Sequence, residues 1–218
     1  YNGEDPSNTT GQNATEEPYT AGGNYDSATG LYTETTGAGY IWKYMYTIPT
    51  DDVLKFLSSD FMPIVLPANV SRTAVAGIAV AGAIDVALIE NAGSGLPASQ
   101  TLYTAIVGDG TGGKVKFVTN GAGTITSAEI EARGSGYTYG NVLLGNGNLF
   151  SNAGLSSAVT TGASAVGAIE VVLPPQGGHG SDQEVELNGK RVMTNIRLTY
   201  SEGSGDCLLY TSDAADDS

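Results

Sequence analysis

The chain is predicted to be mainly β, built of antiparallel sheets with one short helix near residues 50–59 and an inserted small β-repeat domain. Three observations predict this class. The 31 glycines and only 15% charged residues, with abundant Thr, Ser, Ala and Val, favour strands and turns over long helices. Apolar residues recur at every second position in several short runs, the period of a half-buried strand. A stretch of Gly-turned sequence also occurs twice at a fixed spacing. At 218 residues the chain is long enough to bury one sizeable core or two small ones.

Taken in order, residues 1–36 are rich in Asn, Thr, Gly and Glu and lack an apolar period, which predicts a polar surface loop with room for one short hairpin. Tyr1 opens inside this polar stretch without a Met, so a fragment is expected. Residues 37–72 predict a strand, a helix and a further strand. In "GAGYIWKYMYTIP", Tyr40, Trp42, Tyr44 and Tyr46 fall on one face, while Ile41, Lys43, Met45 and Thr47 fall on the other. Pro49 closes this strand by removing a ladder donor. Thr50 is the expected N-cap of the helix, with Asp51 and Asp52 in its first turn and Val53, Leu54 and Leu57 as its apolar stripe. Pro63 and the run Ile64 to Leu66 end it.

Residues 73–172 hold the repeat. "GAIDVALIENAGSG" (Gly82 to Gly95) aligns with "GTITSAEIEARGSG" (Gly123 to Gly136), with first glycines 41 residues apart, and a partial third copy begins at Gly167. Each copy predicts a strand followed by a tight Gly-Ser-Gly turn. Two copies and a remnant fall short of a solenoid, so a small antiparallel domain is the expectation. Residues 173–203 include "KRVMTNIRLTY", whose alternation predicts a half-buried return strand. From Cys207 the text "CLLYTSDAADDS" continues no period and resembles a translated adaptor tail, so residues 204–218 are expected to be foreign to the protein.

Charge narrows the function classes. A net charge of -14, with nine dispersed basic residues, argues against phosphate-neutralising contact with nucleic acid and against an anionic membrane surface. No apolar run is long enough to span a bilayer, and no secretory leader pattern is seen. A single cysteine permits no internal disulfide framework and no cysteine zinc site. The triplets at Asn8, Asn13 and Asn69 match glycosylation acceptors, as chance allows in a chain this rich in Asn, Ser and Thr.

Motifs that could carry chemistry read better as turns. "GDGTGG" (Gly108 to Gly113) leads into a strand rather than a helix, so it lacks the N-terminus a phosphate loop needs, and it lacks the ligand spacing of an EF-hand. His179, the only histidine, lies beside Ser181 and Asp182, yet residues adjacent in sequence rarely converge as a triad. Asp51 and Asp52 cannot face one another across a substrate. No catalytic residue, metal ligand or cofactor is therefore assigned, and the chain is not expected to be an enzyme. The aromatic strand predicts core or interface anchors at Tyr40, Trp42, Tyr44 and Tyr46, joined by Phe56 and Phe61. If Trp42 is core, Trp42→Ala should cost about 3–5 kcal/mol.

The block "GYIWKYMYTIPTDDVLKFLSSDFMPI" (Gly39 to Ile64) resembles the baseplate wedge subunit of contractile-tailed bacteriophages of the T4-like, marine cyanophage type. Gly39, Tyr40, Trp42, Tyr44, Ile48 and Pro49 carry its strand-to-helix signature, and "PPQGGHGSD" with "RVMTNIRL" (Pro174 to Leu198) is similar to a later block of that family. The resemblance implies a structural virion protein of the tail baseplate, made in the host cytoplasm, assembling with other wedge subunits and as a homodimer, with no cofactor, nucleic acid or membrane insertion. The alternative is a carbohydrate-binding tail or fibre module with Tyr137 and Tyr139 as exposed contacts.

Overall fold

The computed structural model describes residues 25–33, 41–162 and 165–197. Tyr40, residues 198–203 of the expected return strand and the expected tail at 204–218 lie outside them. The fold is mainly β with antiparallel sheets, as the composition predicts. The described residues fall into two units, one within 1–47 and 64–189 and the other within 48–63 and 190–218.

The first unit opens with a small sheet, β1 (Tyr25–Asp26), β2 (Leu31–Thr33) and β3 (Ile41–Lys43), in that order. The hairpin forms because Asp26 braces its own turn: one carboxylate oxygen accepts from the Ala28 N–H at 2.9 Å and the other from the Thr29 hydroxyl at 2.9 Å. Gly30 supplies the positive φ of 70° that returns the chain. Trp42 on β3 stands opposite Tyr32, which is buried.

Six strands follow: β4 (Val86–Ser94), β5 (Thr101–Gly108), β6 (Lys114–Thr119), β7 (Ile125–Ala132), β8 (Gly140–Val142) and β9 (Val166–Val172). Ladders join β4 to β9, and β7, β6, β5 and β8 in that order. In addition β4 packs along β7 and β8 against β9, so the six strands close into a ring. Alternation fills its inside. Leu102 and Ile106 point in from β5, Val115 and Phe117 from β6, Ile125 from β7, and Ile169 and Val171 from β9.

The repeat sets how this ring closes. Gly82 and Gly123, Gly93 and Gly134, and Gly95 and Gly136 are equivalent positions, and all six have positive φ. The residue after each Gly-Ser-Gly is a buried plug, Leu96 in the first copy and Tyr137 in the second. Each plug docks on the first glycine of the other copy: Tyr137 N–H donates to the Gly82 carbonyl at 3.3 Å, and Leu96 N–H to the Gly123 carbonyl at 3.2 Å. A Cβ on either glycine would overlap that partner's backbone. The third copy keeps part of the pattern, since Ile169 takes the buried place of Ile84 and Ile125.

The structure differs from the sequence expectations in several places: β3 ends at Lys43, before Tyr44 and Tyr46, and the run Ile64 to Leu66 forms no strand. Two helices join the expected one: α2 (Val70–Ile78) and α3 (Gln183–Glu186), beside α1 (Thr50–Phe56). The N-cap of α1 is Pro49, not Thr50, and its stripe is not buried, Leu54 being 79% exposed. Most consequentially, residues 190–197 of the expected return strand are irregular and exposed, with Val192 at 93%. Their alternation is real, but no described strand offers them a ladder, and a half-buried strand needs both a ladder and a core face.

The α2 start carries a capping signal that sequence reading passed over. Asn69, noted there only as a chance glycosylation triplet, accepts from the Ser71 N–H at 2.9 Å and the Arg72 N–H at 3.3 Å. Within α2, Gly77 has open space where a Cβ would stand. Gly77→Ala should therefore raise stability by about 0.5–1 kcal/mol, read from the urea midpoint. No change or a loss would contradict the helix.

Candidate interaction surface

The aromatic block contributes less to the core than its composition suggests. Trp42, Tyr44 and Tyr46 are each partly buried. Tyr44 meets Tyr25 edge-on with ring centres 6.4 Å apart and shares a hydrogen bond of 2.6 Å with Thr47. In the second unit Phe56 is partly buried, and Phe61 is exposed beneath the Arg191 guanidinium, 5.3 Å from its ring centre. The buried apolar cluster instead lies in the ring, where Phe117, Leu102 and Leu149 are fully enclosed. Trp42→Ala is accordingly expected to cost about 1–2 kcal/mol, and Phe117→Ala about 3–5 kcal/mol, by urea denaturation. Equal losses would place the aromatic strand in the core after all.

Tyr137 is corrected from exposed contact to core. Its hydroxyl donates to the Ile106 carbonyl at 3.2 Å and accepts from the Gly113 N–H at 3.1 Å. Its ring lies on Gly110 and Gly113, where any Cβ would collide with it. The Gly-rich loop between β5 and β6 thus cradles a tyrosine ring. Tyr139 does remain exposed, near Val107 and Leu143 at the edge where β5 meets β8.

Several ionisable groups of the first unit are tied into the fold. Arg133 makes a two-pronged contact with the buried Asp85 carboxylate, one arm at 2.9 Å. Arg72, itself buried, donates to the Val65 carbonyl at 2.7 Å, to Gln183 at 3.1 Å and to Glu184 at 3.0 Å, which locks α2 to α3. His179 pairs with Glu186, and the other oxygen of that carboxylate accepts from the Gly180 N–H at 2.7 Å. Ser181 and Asp182 do not join it. The Ser181 hydroxyl donates to the Gln176 carbonyl at 3.2 Å, and Asp182 caps α3 by accepting from the Val185 N–H at 3.1 Å. Lys43 donates to the Thr29 carbonyl, and burial lowers its pKa, opposed chiefly by the Asp85 charge.

Asp109 braces the loop that presents Tyr139. It accepts from the Thr138 hydroxyl, from the Thr138 N–H at 2.9 Å and from the Tyr139 N–H at 3.2 Å, and these bonds hold its pKa down to about 2. The folded value lies below the unfolded value of 3.8, so the stability it adds is present above the unfolded pKa and is lost as pH falls toward the folded one. Asp109→Asn is expected to flatten the acid-denaturation curve between about pH 4 and 2. An unchanged curve would contradict this brace.

What remains unused is apolar surface. In the first unit Leu66, Val70 and Val185 are exposed around the α2–α3 junction that Arg72 ties together. In the second, Leu54, Met62, Val192 and Ile196 are exposed. Sequence reading missed the exposure because an apolar stripe or an alternating run looks the same whether its partner lies within the chain or outside it. Among the described residues no group of three or more His, Cys, Asp or Glu could hold a metal ion, and no helix is long and apolar enough to cross a membrane. No family model, curated protein or solved structure matches the chain.

Proposed function

We propose that the chain is a structural subunit of a contractile phage tail baseplate, a wedge component that acts in the virion by protein–protein assembly. One observation carries this reading: each of the two blocks that resemble the wedge family carries exposed large apolar side chains. Leu54 and Met62 fall in Gly39 to Ile64, and Val185, Val192 and Ile196 in Pro174 to Leu198. Clustered exposed apolar groups mark interaction surfaces, and large obligate interfaces are built from them. The aromatic block needs no catalytic part in this reading.

Co-expression with the other wedge subunits of a marine contractile-tailed phage tests the proposal. The chain should co-elute with them, and a Leu54→Asp, Met62→Asp, Ile196→Asp variant should fold but elute alone. Folded wild-type chain that never joins the complex would overturn the reading. A second reading, a carbohydrate-binding module, keeps one observation in its favour, the exposed Tyr139 ring on its braced loop. Selective glycan binding lost in Tyr139→Ala would support it. Tyr137 offers no such test, because its loss would damage the core.

A further inference from the structure

Charge is distributed unevenly along the described residues. Residues 190–197 carry Lys190, Arg191 and Arg197 and no acid, in a chain of net charge -14 with nine basic residues in all. These residues are exposed, and their apolar positions Val192 and Ile196 are 93% and 80% exposed. The outer wall of the ring over β9, β4 and β7 is the opposite. Glu170 on β9 stands beside Leu88 on β4, Glu90 follows on β4, and Glu129 and Glu131 lie on β7. Of these acids, Glu129 is paired with Lys116, while Glu90, Glu131 and Glu170 face outward and are exposed. Leu88 is only partly covered between them.

Resting on the assembly reading above, we propose that residues 190–197 of one copy bind the acidic β9–β4–β7 wall of a second copy of this chain. The segment has what a docking segment uses: exposed apolar side chains, no ladder of its own among the described residues, and charges opposite to the surface it meets. Lys190 and Arg197 meet the carboxylates, while Val192 and Ile196 cover Leu88. Exchanged in both directions, segment on wall and wall on segment, the contact closes a two-fold pair; made in one direction only, it builds a ring or an open chain of subunits.

The test is sedimentation velocity of the full chain at low and high salt, with two charge-reversed variants. The first is Lys190→Glu with Arg197→Glu, which leaves Arg191 over Phe61. The second is Glu90→Lys, Glu131→Lys and Glu170→Lys, which leaves the Lys116–Glu129 pair. The wild type should form multiples of its 22.2 kDa mass at low salt and dissociate at high salt. Each variant alone should associate at least about tenfold more weakly. Mixed in equal amounts they should associate again, because the unaltered segment of the second meets the unaltered wall of the first, and the acidic segment of the first meets the basic wall of the second. Far-ultraviolet circular dichroism checks that both variants fold. A wild type that stays monomeric, variants that associate as the wild type does, or a mixture that stays monomeric would each overturn the contact. The assembly reading is decided separately, by co-elution with the other wedge subunits.

Discussion

Gly123→Ala is expected to lower stability by at least about 3 kcal/mol, as a large fall in the urea midpoint and in soluble yield. Two costs combine at this position. The residue has a φ of 72°, where an L side chain is strained, and its Cβ would overlap the Leu96 backbone that donates to the Gly123 carbonyl. Neither relaxes cheaply, because Leu96 is itself a buried plug of the ring. Gly82→Ala should behave alike through Tyr137, which is the signature of two copies clasping each other. Gly147 is the control. Its φ of 88° is as unusual, but nothing lies within 4 Å of its Cβ position, so Gly147→Ala should cost only about 1 kcal/mol. Equal effects at Gly123 and Gly147 would remove the clasp from the account.

The second large effect is expected at Arg133. Arg133→Met leaves the Asp85 carboxylate, only 2% exposed at its side chain, without its charged partner. Breaking such a pair from one side costs about 3 kcal/mol or more, chiefly from the uncompensated buried charge. Asp85→Leu with Arg133→Met removes the charge as well and should recover most of the loss. A double variant as unstable as the single one would show that the pair holds the ring by geometry and not by charge balance.

These residues also show how far the sequence could be read. The mainly β class followed from glycine content and alternation, and the spacing of 41 residues pointed to the glycines that later proved to clasp. What spacing could not reveal was that the copies grip each other in reverse order, since docking of Gly82 on Tyr137 is a property of the closed ring. Tyr137 illustrates the same limit. Flanked by Thr138 and Tyr139 in a Gly-rich stretch it looked exposed, yet the glycines around it are what make room for its ring. Helix α2 was hidden because its Ala, Val and Gly composition continues the texture of the strands, and only the Asn69 cap marks its start. The aromatic block is less legible: rings on one strand suit a core or an interface alike, and only the structure shows that the ring of strands closes on Ile, Leu, Val and Phe117.

The reading as an assembly subunit rests on exposed apolar side chains in the two family-like blocks, and hydrogen exchange tests that most directly. Amide exchange would be followed by mass spectrometry for the free chain and for the chain within the co-expressed wedge complex. The account predicts that exchange slows within residues 48–66 and 185–197 on assembly, while the strands of the ring, already protected, change little. A complex that forms with those two segments unchanged, and with new protection elsewhere, would contradict it.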